Sequence, residues 1–323
     1  MPISKYFKFS LNFSVFFLLI TLVNSPALAF VFAPNGFDLS GALIDTTKIL
    51  SGGPEKDGIP ALTQPAFIKA GQAYYLKPDD RVLGIEIEGV SKAYPISILN
   101  WHEIVNDRIG KQNFAITYCP LCGTGVAFSA EVAGETLEFG VSGLLYNSDV
   151  LLYDRETDSL WSQIMRKSVS GKFKGEKLKL LPITHTSWQQ WKSSHPQSLV
   201  LSDNTGYSRD YKRNPYAGYE KSRNLYFQVA NKAPDWFHPK ERTLGIELEG
   251  QFKAYTFSEI DKTSKNTIQD EFAGKLLTLH WDKPNQQLNV TDQSGKDIAG
   301  IEGFWFAWFA FHPETEVYRA PEK

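Results

Sequence analysis

Sulfur is scarce in this chain, which has two cysteines and two methionines among 323 residues, and histidine, with six, is hardly commoner. Two cysteines cannot cross-link a chain of this length, so a disulfide framework like that of small secreted domains is excluded. Positive charge is not in surplus either. The 34 Lys and Arg stand against 36 Asp and Glu, which removes the electrostatic footprint of a nucleic-acid partner. After the first thirty residues no apolar run approaches the ~20 residues of a membrane span, although 304–311 is locally very apolar. What the chain does have is aromatic mass, 14% of its residues within a 42% hydrophobic total. That is enough to bury a sizeable core in one large domain or two small ones.

The one long apolar run, Leu11 to Val23, follows Lys5 and Lys8 and precedes Ala27-Leu28-Ala29. This is the pattern of a secretory signal peptide, predicted over residues 1–29. No cysteine follows the run to take a lipid anchor. The mature chain, Phe30 to Lys323, is expected to be exported, periplasmic or extracellular, with no remaining transmembrane span. Losing Lys5 and Lys8 leaves 32 basic residues against 36 acidic, a net charge of −4.

The chain repeats itself. Arg81-Val-Leu-Gly-Ile-Glu-Ile-Glu-Gly89 returns as Arg242-Thr-Leu-Gly-Ile-Glu-Leu-Glu-Gly250, and Lys92-Ala93-Tyr94 as Lys253-Ala254-Tyr255, at a constant offset of 161. Apolar and acidic residues alternate in both copies before a glycine turn, the signature of a β-hairpin. Trp188-Gln-Gln-Trp191 before His195-Pro196 resembles Trp305-Phe-Ala-Trp308 before His312-Pro313, each a short helix ended by a His-Pro step. Alternating stretches at 114–118, 126–132, 150–153 and 160–163 add further strands. The expectation is a mainly β fold, a β-rich α+β arrangement with a few short helices, built from two degenerate repeats. The first repeat spans 30–217 and carries the cysteines. The shorter second, 241–323, lacks them and packs either as a domain of its own or with the first. The linker falls within Gly218–Lys240.

The two cysteines lie in Cys119-Pro120-Leu121-Cys122-Gly123, behind a strand-like run. Such a pair serves as a metal clamp, a reversible disulfide, or an activated thiolate with its resolving partner. Redox sites of the thioredoxin type open a helix at the first cysteine, whereas Gly123-Thr124-Gly125 and an alternating run follow here. The segment reads as a metal knuckle, a turn in which glycine lets the backbone bend until both sulfurs converge. Its metal would be copper or zinc, with His102 of Asn100-Trp-His-Glu103 as the third ligand and Glu103 or Asp149 in an outer shell. His185, His195, His238 and Met165 are weaker candidates. The polar stretches Ser142–Asp149 and Arg209-Asp210-Tyr211 are candidates to line the same cavity. Two knuckles could also pair across a homodimer.

Two other functions stay open. In an oxidising compartment Cys119 could attack and Cys122 resolve a disulfide, with His102 as the base. The protein could equally be a non-enzymatic scaffold whose aromatic surface meets a small molecule or an envelope protein.

Several longer motifs point one way: Gly52-Gly-Pro54, Lys56-Asp-Gly-Ile-Pro60, Asn100-Trp-His-Glu-Ile-Val-Asn-Asp107, Tyr118-Cys-Pro-Leu-Cys-Gly-Thr-Gly125, Phe139-Gly-Val-Ser-Gly-Leu-Leu-Tyr-Asn-Ser-Asp149, Leu160-Trp-Ser-Gln163 and the terminal Phe304–Tyr318. Together they resemble the domain family called DUF3179, over most of the mature chain. That family is defined by sequence and has no established reaction. The resemblance implies that the His102 and Cys119/Cys122 motifs belong to one module.

Overall fold

The computed structural model describes residues 1–2 and 34–321; the expected signal peptide lies, but for its first two residues, outside the described residues. The described residues are rich in β-strand, with four short α-helices: α1 (Ile96–His102), α2 (Trp188–Ser194), α3 (Phe257–Lys262) and α4 (Trp305–Phe311). Among the described residues no helix is long and apolar enough to cross a membrane.

The sequence repeat is a structural one. In the first copy the strands Arg81–Ile87 and Val90–Pro95 form a hairpin followed by α1, and Thr184–Ser187 pairs antiparallel with the first of them. In the second, Arg242–Leu248 and Gln251–Thr256 form the hairpin, α3 follows, and Ile301–Phe304 takes the outer position. A short strand closes each unit in parallel pairing, Leu199–Leu201 in one copy and Glu316–Val317 in the other. Helices α2 and α4 end alike, at His195 and His312, whose backbone angles agree within a degree. Each packs its second tryptophan on a hairpin glycine. A Cβ on Gly84 would lie 2.2 Å from the Trp191 ring, and one on Gly245 2.2 Å from Trp308. Only glycine admits an indole so close to the strand backbone.

Buried charge is repeated too. Lys92 pairs with Asp107 at 2.7 Å while the Tyr94 hydroxyl donates to the same carboxylate at 2.6 Å. In the second copy Lys253 and Tyr255 do the same to Asp270, both at 2.8 Å.

The offset between copies falls from 161 in the hairpin to 117 at the tryptophan helices. The difference of 44 residues is mostly an insertion in the first copy, so the duplicated unit is smaller than the 30–217 span. The insertion supplies four strands of a five-stranded sheet, Phe139–Tyr146, Asp149–Asp154, Leu160–Ser162 and Lys167–Ser170 in that order, with Ile49–Ser51 from before the repeat pairing at the Phe139–Tyr146 edge. No strand or helix lies between Leu201 and Arg242. This strap, wider than the expected linker, packs Tyr216, Leu225, Phe227, Val229 and Phe237 against the largest core cluster.

One nine-stranded sheet unites the copies. Thr124–Ser129 of the first pairs with Ile301–Phe304 of the second through Gly125 and Glu302. At that seam Glu302, 5% exposed, takes Arg242 Nε at 3.0 Å, Arg81 at 3.4 Å and His185 Nδ1 at 3.3 Å. Arg81 and Arg242 are equivalent positions of the repeat, as are His185 and Glu302. Burial alone would raise the Glu302 carboxyl, but Arg242, His185 and Arg81 hold it far below the ordinary glutamate value. Burial brings Arg81 down to about 10.

Glu302→Gln would leave two half-buried guanidiniums facing each other without their anion. It is expected to lower the unfolding free energy by about 3–5 kcal/mol in urea titration; a loss within experimental error would contradict the role given to the seam. Because the folded-state value of Glu302 is depressed, its stabilisation is full above the ordinary 4.5 and is lost as pH falls below it. Glu302→Gln should therefore flatten the acid limb of the stability–pH curve.

Candidate metal centre

Strand alternation positions the first sulfur. In Gln112–Cys119, Phe114, Ile116 and Tyr118 face one core cluster while Ala115 and Cys119 face the larger one. The chain then turns through Pro120 and Leu121, closed by the Cys122 N–H donating to the Cys119 carbonyl at 3.2 Å, and leaves as the strand Thr124–Ser129. No helix starts at Cys119; a strand follows the turn. Gly123 is required twice: its φ is +61°, and a Cβ would meet the Phe304 ring at 2.8 Å. The Phe304 N–H also donates to the Cys122 carbonyl at 2.7 Å, so the second copy grips the turn from behind.

Both sulfurs point at one carbonyl, that of Ser148, at 3.8 Å from Cys119 Sγ and 3.2 Å from Cys122 Sγ. Ser148 and Asn147 form the two-residue turn between Phe139–Tyr146 and Asp149–Asp154, both with positive φ (68° and 52°), as a hairpin turn of that length demands. Asn147 is adapted to it, accepting from the Ala230 N–H at 2.8 Å and donating to Ala310 O at 3.3 Å. The turn delivers Asp149 beside the sulfurs. One carboxylate oxygen accepts from the Ile164 N–H at 3.2 Å; the other, Oδ1, is buried with no hydrogen-bond partner among the described residues. Ligand atoms of Cys119, Cys122 and Asp149 all lie within 4.8 Å of one another, and the three residues are at most 2% exposed.

Electrostatics set this pocket apart. Burial pushes the Cys119 thiol up and the Cys122 thiol well above its ordinary value, the Asp149 carboxyl to about 7 and the Glu103 carboxyl to about 8, the last also because Asp149 is near. Among the described residues no Lys, Arg or His is ion-paired with any of the four, although buried carboxylates elsewhere in the chain have such partners. Glu103 follows α1 at φ 57°, a strained angle for a residue with a side chain. The strap roofs the site with Tyr216 and Tyr219. The hydroxyl of Tyr219 is buried without a partner, and Lys240 Nζ stands 3.9 Å above its ring. Beyond Pro120 a cavity of about 620 Å³ opens, lined by Tyr118, Tyr216, Tyr219, Arg209, Asp210 and Tyr211 among others.

Of the residues singled out in the sequence, the structure brings Cys119, Cys122 and Asp149 together. His102 is not in that group. It is fully buried and its Nδ1 lies 2.7 Å from the Pro60 carbonyl, an acceptor only, so the proton sits there and Nε2 accepts from the Tyr211 hydroxyl at 2.6 Å. Desolvation lowers its pKa and keeps the ring neutral. With both nitrogens engaged, His102 ties the strap to α1 and reaches neither a metal at the sulfurs nor the Cys119 thiol as a base. Of the weaker candidates, His185 belongs to the Glu302 seam, His195 pairs with Glu86, and the His238 Nδ1 accepts from Lys240 N–H. Met165 packs beside Leu151 and Val169. Sequence reasoning missed Tyr216 and Tyr219; their only signal was the density of tyrosine after residue 206.

His102→Ala removes the strap's anchor, taking the partner from the Pro60 carbonyl and leaving Tyr211 bonded to Thr205. Hydrogen exchange within 203–220 is expected to accelerate by the roughly 1–3 kcal/mol that an unpaired buried group costs. Unchanged protection would contradict the anchoring role.

No curated protein and no solved structure matches the chain. The profile of one family, described as protein of unknown function (DUF3179), matches residues 56–315, a span that holds the cysteine turn, the Asp149 hairpin, the strap and both copies of the repeat, and the chain belongs to that family.

Proposed function

We propose that the protein is an exported metal-binding protein in which Cys119, Cys122 and Asp149 hold a zinc ion. The observation that carries this reading is the convergence, in a buried pocket, of two sulfurs and a carboxylate oxygen that has neither a hydrogen-bond nor an ion-pair partner among the described residues. Four acidic groups gathered out of water either keep their protons or share a cation, and a divalent ion turns a costly arrangement into a favourable one. The donor set selects the metal. Two thiolates with a carboxylate suit zinc, which accepts sulfur and oxygen at about 2.3 and 2.0–2.2 Å. Copper(I), the other expected ion, favours thiolate and thioether sulfur alone. Three protein donors leave a fourth tetrahedral position, as in zinc sites that bind water or a substrate. Glu103, pushed to about 8 by burial, stands close enough to Asp149 to share the field of that position.

The thiol-exchange alternative asks for an exposed thiolate of lowered pKa. Both thiols here are buried and raised.

Native mass spectrometry of the protein isolated from the exported fraction, without chelators or metal-affinity resin, tests the reading. The expected species begins at Phe30 and carries one zinc ion per chain, absent from Cys119→Ser/Cys122→Ser. Full metal content in that double variant, or a metal-free chain lighter by two hydrogens, would overturn it, the latter in favour of a disulfide.

Two variants assign the third ligand. Asp149→Asn should weaken zinc retention in a chelator competition by more than the roughly 10–100-fold that loss of an outer-shell partner costs. His102→Ala should leave zinc stoichiometry unchanged. The reverse pattern would restore His102 as ligand and remove Asp149.

A further inference from the structure

The duplication supplies an internal comparison that points to a second site. Each copy has a pocket walled by its tryptophan helix and by the acidic residue two places after the hairpin glycine. In the second copy these are Gly245, Glu247, Trp308 and His312; in the first, Gly84, Glu86, Trp191 and His195. The second-copy pocket is filled. Arg166, reaching across from the first copy's inserted sheet, forms an ion pair with Glu247, and Phe252 stacks on His312 at 3.9 Å, leaving a cavity of only about 20 Å³.

The first-copy pocket is open, with a cavity of about 380 Å³. Two differences account for this. Ser91 stands where the second copy has Phe252, and no Lys or Arg lines the pocket among the described residues. The second copy closes it with Asn289 and Asp297 instead. Glu86 accepts from the Ser91 hydroxyl at 3.0 Å and lies 3.2 Å from His195 Nδ1, both through Oε2; its Oε1 has no partner among the described residues. The floor is built, since His185 and Glu302 are each 5% exposed and Glu302 is already neutralised by Arg81 and Arg242. That leaves Glu86 and Asp297 as the acids facing the cavity without a Lys or Arg partner.

We propose that the first-copy cavity binds a guanidinium group from outside the chain, the side chain of an arginine, on Glu86, in the manner in which the second-copy pocket holds the chain's own Arg166. Guanidinium suits the place better than ammonium. It is weakly hydrated, flat enough to lie along the wall formed by Gly84 and Trp191, and its paired N–H groups match a carboxylate edge. The volume is that of a small-ligand site. Free arginine and an arginine within a peptide present the same chemistry.

Calorimetric titration of the full mature protein separates these sources, using L-arginine, the tripeptide Gly-Arg-Gly and, as control, Gly-Lys-Gly. Saturable millimolar or tighter binding of arginine or of the arginine peptide is expected, the tighter of the two identifying the source. Glu86→Gln should weaken it by roughly tenfold or more, the loss of one charge-assisted pair. Glu247→Gln should leave binding intact, since Arg166 continues to fill its own pocket. Absence of binding by both arginine probes, equal binding of Gly-Lys-Gly, or affinity unchanged in a folded Glu86→Gln protein would each overturn the proposal. Zinc content is measured in the same samples, so failure here is distinguishable from failure at the cysteine turn.

Discussion

The architecture hangs on one buried carboxylate. Glu302 lies where the two copies meet, and the groups that neutralise it come from both: Arg242 from its own hairpin, Arg81 and His185 from the other. A carboxylate in that position costs several kcal/mol of desolvation unless its partners are held in place. The seam therefore fixes the register of Ile301–Phe304 against Thr124–Ser129, and that register sets the cysteine turn. The backbone hydrogen bond from Phe304 to Cys122 and the contact of its ring with Gly123 follow from the same pairing. The cysteine-free copy thus does more than enlarge the core; it is the wall on which the sulfur turn rests.

Three separate devices then bring acids together out of water. A strand hairpin carries the sulfurs, a tight turn with two positive φ angles carries Asp149, and the strained residue after α1 carries Glu103. The strap covers them, tied down by His102 through Tyr211 and by Asn147 through Ala230. Strained backbone at two of the three positions, with unpartnered buried oxygens on Asp149, Ser148 and Tyr219, is the mark of a site shaped for something other than stability.

Much of this was legible in the sequence. The repeat could be read because alternation and glycine turns are local signals, and the helix-ending His-Pro steps recur at both copies with the same backbone angles. The cysteine turn was legible because Gly123-Thr-Gly125 rules out a helix there. His102 stood out because it lies one element before the cysteines; its hydrogen bonds with Pro60 and Tyr211 join residues far apart in the chain and leave no local signal. How near Asp149 comes to the sulfurs was not legible, since its approach depends on a turn conformation that Asn147-Ser148 adopts without glycine. The strap was hardest, having no periodicity, and its Tyr216 and Tyr219 gain meaning only from what they cover. The contrast between the two tryptophan pockets was equally hidden, because Ser91 against Phe252 is one of several differences between the two hairpins and carries no signal of its own.

X-ray absorption at the zinc edge of the isolated protein tests the central claim most directly, since it counts donors by element. Two sulfur scatterers at about 2.3 Å with oxygen at about 2.0–2.2 Å is the result this account predicts. Four sulfurs, which would mean paired turns across a dimer, or a shell of nitrogen and oxygen without sulfur, would contradict it.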